Sequence, residues 1–225
     1  MSLHVYNDVV QGSDAWLEAR RGIVTASVVG QLITPTTIKP ANNDKSRALT
    51  TLLVAERITG WVDPVYVSDD MMRGTLDEPV ARAIYAEHYG TVDEVGFMVR
   101  EEQWGRLGYS PDGLVGDDGL IEIKSRRAKK QLDTILRDEV PAENVAQIQA
   151  GLLVSGRKWC DYVSFCGGMP LYVKRVYPDR RWFEATIAAV SAFETAAAEM
   201  TSRYTNAIAG RPATERTTYD MEITV

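Results

Sequence analysis

The chain has little of what builds redox or soft-metal centres. Two cysteines, Cys160 and Cys166, and two histidines, His4 and His88, occur in 225 residues. That is too few for a Cys/His zinc set and short of the thiolates of an iron–sulfur nuclease. So few cysteines fit a reducing, cytoplasmic compartment. No stretch approaches the roughly eighteen apolar residues of a membrane span, and residues 1–11 lack the basic and apolar regions of a signal peptide. Internal repeats and low-complexity tracts are also missing. Positive charge is not in excess: 25 Lys and Arg against 31 Asp and Glu give a net charge of −6, which at face value argues against a nucleic-acid partner.

What is present is the ordinary balance of a globular protein, 45% hydrophobic and 25% charged. The length suits one substantial α/β domain over residues 1–225, with residues 210–225 as a C-terminal tail or arm. The basic residues are clustered, as Arg20-Arg21, Arg126-Arg127, Lys129-Lys130 and Arg180-Arg181. Local cationic patches can therefore coexist with acids that are spent on metal.

Strict alternation over Leu120-Ile121-Glu122-Ile123-Lys124 predicts a half-buried strand, with Ile121 and Ile123 on one face and Leu120, Glu122 and Lys124 on the other. Ahead of it, Ser110-Pro111-Asp112-Gly113 reads as a turn and Gly116-Asp117-Asp118-Gly119 as a tight hairpin. Folding back there lays Asp112 roughly opposite Glu122. Cross-strand neighbours have Cβ atoms about 5 Å apart, so the two carboxylates would repel unless a cation lay between them. A divalent metal fits that gap. With Lys124 on the same face, the trio points to metal-dependent phosphodiester hydrolysis; a solvated surface Glu and Lys is the plainer alternative.

Along the chain, Ser13 caps a short helix through Trp16 and Arg20, and Thr25 a second one running to Leu32, with Ser27 in its anion-favouring first turn. Capping plus a surface arginine would explain both features as well. Residues 35–44 read as a loop, and a helix follows to Gly60. Val62 to Val67 forms a short extended piece. From Asp70 to Tyr89 the spacing is helical, with Pro79 either in the first turn behind a Thr75/Glu78 capping box or at a kink, so Glu78 is a capping residue or a third acid. Val92 to Val99 and Glu102 to Tyr109 read as strands that lead into the hairpin as one antiparallel meander of four. Helices over 131–137 and 142–154 follow, with Gln147 and Gln149 beside the apolar stripe of the second. A hairpin of Tyr162 to Phe165 with Leu171 to Val176 precedes a long helix over 180–207. The stretch from Thr214 to Val225 is polar and then weakly strand-like.

Asp112 followed by Glu122-Ile123-Lys124 resembles the PD-(D/E)-x-K nuclease pattern, and the surrounding chain resembles the phage lambda exonuclease, or YqaJ-type, viral recombinase family. The N-terminal block from Trp16 and Arg20 through Gly22 to Ser27, the segment Gly74 to Glu78, and Ala146-Gln147-Ile148-Gln149 complete five motifs in order. The resemblance implies an α/β restriction-endonuclease-like core, a central mixed sheet flanked by helices. It implies a processive, Mg²⁺-dependent exonuclease, with two ions and Mn²⁺ as a substitute, that digests the 5′-ended strand of linear duplex DNA. Asp112, Glu122 and the Ile123 carbonyl would bind metal, Glu78 would reach it through water, and Gln147 and Lys124 would line the attack site. Arg20 and Ser27 would grip a 5′-phosphate, with Arg126 and Arg127 on the DNA. A homotrimeric ring, a single-strand annealing recombinase as partner, no membrane, and a phage or prophage protein in the bacterial cytoplasm belong to the same expectation. Ser125 departs from the pattern, where a Cys-Pro-like continuation is expected after Lys124. A different endonuclease of this fold and a non-catalytic module that holds DNA ends are the alternatives.

Overall fold

In the computed structural model, which describes residues 2–64 and 66–216, the chain opens with strand β1 (Ser2–Tyr6), helix α1 (Asp14–Arg20), β2 (Val24–Thr25) and the short α2 (Ala26–Val29). The hairpin of β3 (Ile33–Thr34) and β4 (Lys39–Pro40) leads to α3 (Asp44–Thr59) and α4 (Asp69–Tyr89). Strands β5 (Phe97–Glu102), β6 (Gly105–Tyr109), β7 (Gly113–Val115) and β8 (Gly119–Ser125) come next. They are followed by α5 (Ala128–Arg137), α6 (Ala142–Ser155), β9 (Trp159–Phe165), β10 (Tyr172–Val176) and α7 (Arg180–Ala207).

The expected four-stranded meander is divided between two mixed sheets, ordered β1-β5-β6-β2 and β10-β9-β8-β7. β6 stays antiparallel to β5 while β7 pairs with β8, in the register Gly113↔Ile121. The break falls at Ser110-Pro111-Asp112, where proline has no N–H to give to a ladder. Strand β8 lies parallel to β9, and helices cover both of its faces. Leu120 packs in the main core with Tyr109, Ile148, Leu152 and Val190, while Ile121 and Ile123 pack with Ala81, Tyr85 and Val163. β8 is therefore buried on both sides rather than half-buried, and Glu122 is 0% exposed.

Four further expectations change. The second helix stops at Val29 and finishes as a 3₁₀ turn over Gly30–Leu32. The loop over 35–44 contains β4, and Val62 to Val67 forms no strand among the described residues. Helix α4 starts before Pro79 can act as a first-turn residue, because Ser68 accepts from the Met71 N–H and caps it. Glu78 is consequently a mid-helix residue, and Thr75 donates to the Met71 carbonyl instead of forming a capping box. The helix tolerates Pro79 because its second half is pinned to the sheet, where Ala81 is buried and the Tyr85 hydroxyl donates to Asp161 at 2.6 Å. Most of the weakly strand-like C-terminal segment lies outside the described residues.

Candidate active site

Two walls face each other across a cleft of about 510 Å³. The first is built on the β7–β8 hairpin. Beyond Gly113↔Ile121 the ladder ends, and the Asp112 carboxylate takes over by accepting the Ile123 N–H at 2.6 Å. The N–H and C=O of one residue leave an extended strand on the same side, so the Ile123 carbonyl faces the Asp112 side past the end of β7. Lys124 Nζ lies 2.6 Å from Glu122 Oε1. That oxygen is fully buried, and the Lys124 ammonium is the charge set against it. On the other carboxylate oxygen, the Tyr109 hydroxyl approaches at 3.4 Å. Tyr109 can lie there because α6 presents Gly151, where a Cβ would stand 2.7 Å from the ring.

Glu78 joins from α4. Arg82, one turn on, binds the Glu78 carboxylate, donates to the Asp112 carbonyl at 2.8 Å and pairs with Glu94 at 2.9 Å. Burial, then the Glu122 and Glu78 carboxylates, push Asp112 well above the ordinary carboxylate range. Burial also raises Glu78, with Glu122 adding to the shift and Arg82 opposing it. For Lys124, burial lowers the pKa, but Glu122 and Asp112 more than offset it and the net shift is upward, which keeps the ammonium form.

Among the described residues no three His, Cys, Asp or Glu side chains converge closely enough to cage an ion by themselves. Asp112, Glu122 and the Ile123 carbonyl nevertheless form an all-oxygen set in which two carboxylates face the same space. That is the donor chemistry of a hard divalent cation that keeps part of its water.

The second wall is cationic. The Arg20 guanidinium stacks on Trp16 at 3.9 Å and donates to Thr25 Oγ1 at 3.3 Å. The Thr25 and Ser27 hydroxyls are 3.0 Å apart, and Trp16 Nε1 donates to Ser110 at 2.8 Å, tying this wall to the hairpin. Burial lowers the Arg20 pKa, with Glu56 opposing the shift, and no carboxylate pairs with Arg20 among the described residues. A half-buried cation beside two hydroxyls is a seat for an anion.

Arg20, Ser27, Glu78, Asp112, Glu122, Ile123, Lys124 and Gln147 all line the one cleft. Arg126 and Arg127 do not: Arg126 is tied to Asn144 and Tyr162, and Arg127 to Asp70 on the surface. Gln149 turns inward, accepting the Asp179 N–H and donating to the Tyr177 carbonyl. The departure at Ser125 is filled by contacts to α4, since it donates to Asp77 and accepts from Arg73. Sequence reasoning missed Arg82, Tyr109 and Thr25 as site residues. Only Arg82 had a local signal, its four-residue spacing from Glu78 on one helix.

Residues 15–158 match the YqaJ-like viral recombinase domain. An alkaline exonuclease from Laribacter hongkongensis is 32% identical, with a TM-score of 0.78 over 88% of this chain and 98% of its own. Its complex with dAMP gives the same values. A phage-related exonuclease from Haemophilus somnus 129PT, 12% identical with a TM-score of 0.61 over 81% of this chain and 96% of its own, shares the fold. No curated protein matches the chain.

Proposed function

We propose that this chain, which belongs to the YqaJ-like viral recombinase family, is a Mg²⁺-dependent exonuclease that digests the 5′-ended strand of linear duplex DNA and leaves a 3′ overhang. The supporting observation is the pairing of walls: a carboxylate pair with a lysine faces an arginine–hydroxyl seat across a single cleft. A terminal phosphate on one wall would place the adjoining phosphodiester near the other. The similarity to an alkaline exonuclease whose complex with dAMP is known supports a nucleotide-sized product.

Asp112, Glu122 and the Ile123 carbonyl would hold Mg²⁺, with Glu78 reaching it through water. When bound, the ion would lower the pKa of water and neutralise charge on the phosphate. Lys124, as an ammonium, orients the attacking water or donates to a phosphate oxygen, and Gln147 borders the same space. Arg20, Thr25 and Ser27 hold the 5′-phosphate, which fixes the register of the cut and its polarity. Processive action as a homotrimeric ring, with a single-strand annealing recombinase receiving the 3′ strand, completes the proposal. Arg126 and Arg127 would meet the DNA backbone away from the reacting bond.

The test measures nucleotide release from linear duplexes labelled at either end, with 5′-phosphate or 5′-hydroxyl, with and without Mg²⁺. Mg²⁺-dependent loss of the 5′ label with preference for phosphorylated ends is expected. Cutting of closed circles with no action on linear ends would sink the exonuclease assignment.

A further inference from the structure

Between Arg20 and the Thr25–Ser27 hydroxyls the chain turns at Gly22, whose φ of 65° lies in the left-handed region. Both polar groups of this glycine are held by consecutive residues of α3. The Gly22 N–H donates to Glu56 Oε2 at 2.7 Å, and Arg57 Nε donates to the Gly22 carbonyl at 2.7 Å. The fit is close, since a Cβ on Gly22 would stand 2.4 Å from Arg57 Cγ and 3.2 Å from the Leu53 carbonyl oxygen. Arg57 is itself fixed from α7. It makes two bonds to Glu194, at 2.7 and 2.8 Å, and lies over the Phe193 ring at 4.9 Å. Glu56 is 9% exposed and has no basic side chain in ion-pair contact among the described residues. Neither residue lines the cleft. A buried carboxylate committed to one backbone amide, beside an arginine committed to the carbonyl of the same residue, is a costly arrangement unless that turn must be held rigidly.

We propose that Glu56 and Arg57 are positioning residues that set the discrimination between 5′-phosphate and 5′-hydroxyl ends, by fixing the Gly22 turn from which Arg20 and Thr25 project, given that Arg20, Thr25 and Ser27 seat the terminal phosphate as proposed above. Arg20 and Thr25 sit on opposite sides of the turn and meet at 3.3 Å. Rotation at Gly22 would separate them and open the seat. Neither residue touches the reacting bond, so the effect falls on how ends are recognised and not on the chemical step.

The experiment compares kcat/KM on 5′-phosphate and 5′-hydroxyl duplexes for the full chain and its Glu56→Ala, Glu56→Gln, Arg57→Lys and Arg20→Ala variants. In Glu56→Ala the phosphate preference should fall about tenfold, the scale of one lost charge-assisted contact. The fall should come through KM on phosphorylated ends, with the 5′-hydroxyl rate kept within about twofold. Glu56→Gln keeps an oxygen for the Gly22 N–H and should restore most of the preference. Arg57→Lys keeps the charge facing Glu194 but loses the guanidinium fork, and should lower the preference too; it decides the matter if Glu56→Ala does not fold. An unchanged preference in Glu56→Ala and Arg57→Lys would overturn the inference, as would an equal slowing on both ends, which marks mere destabilisation. A wild-type protein without phosphate preference, or an Arg20→Ala variant that retains it, would instead remove the phosphate seat itself.

Discussion

On one wall of the cleft three carboxylates, Glu78, Asp112 and Glu122, crowd against Lys124 and Arg82; on the other, the Arg20 guanidinium meets the Trp16 indole and the Thr25 hydroxyl, which in turn bonds Ser27. The acidic wall is strained chiefly by burial and then by the neighbouring carboxylates, and both push Asp112 and Glu78 upward. The cationic wall carries a half-buried charge with no carboxylate paired to it among the described residues. Each wall is thus incomplete in the opposite sense, and a metal-bearing phosphate ester carries both missing charges. Under the proposed function the difference also separates their duties, with chemistry on the acidic wall and choice of end on the cationic one.

The largest break in that comparison is Lys124→Ala. It should lower turnover about 10³-fold, in the range of a lost proton-transfer or orienting group, while gel-shift binding of 5′-phosphorylated duplex persists; retained turnover would remove Lys124 from the mechanism. Next, inorganic phosphate should stabilise the wild type and not Arg20→Ala. At ten times its dissociation constant the gain is about 1.4 kcal/mol, or a rise of roughly 3–6 °C in Tm for a chain of this size, read by thermal scan. An equal gain in both proteins would move the anion elsewhere.

The acidic wall can be sharpened by Asp112→Asn. A carboxyl whose pKa is raised on folding contributes stability below its unfolded pKa and loses that contribution as pH rises through its folded value. Without divalent metal, the wild type should therefore fall behind Asp112→Asn in Tm as the pH rises. The gap should close at low pH, and Mg²⁺ should stabilise the wild type alone. A constant gap across pH would deny the buried repulsion. The smallest effect is expected from Arg127→Ala, whose pair with Asp70 is exposed. Its midpoint in denaturant unfolding should match the wild type, since an exposed pair adds little to stability, with any loss of DNA affinity confined to low salt.

The residues of each wall that were legible from the sequence are local in the chain, whereas Glu78 comes from the distant α4. Asp112, Glu122 and Lys124 lie in one hairpin, reached by strand alternation, and Arg20 and Ser27 flank one turn; Thr25 stands at the helix start as expected, but its hydroxyl bonds Ser27 instead of capping a backbone N–H. What supports the walls is not local. Arg82 reaches the Asp112 carbonyl, Tyr109 passes under Glu122 against Gly151, and Glu56 holds Gly22 from another helix; no spacing rule announces such contacts. The meander misled because Pro111 moves the chain from one sheet to the other. Helix α5 defies amphipathic expectation, burying Gln131 and Thr134 while Leu132 and Leu136 face outward. The exchange is affordable because Gln131 donates to the Ser164 and Pro170 carbonyls and accepts from the Ser164 hydroxyl.

The bond from the Ile123 N–H to Asp112 also gives the molecule a built-in timer. That amide is closed by a side chain, while Arg126 further along closes on the Phe165 carbonyl of the neighbouring strand. Its hydrogen exchange therefore follows swings of one carboxylate, and the strand around it exchanges only when the sheet itself comes apart.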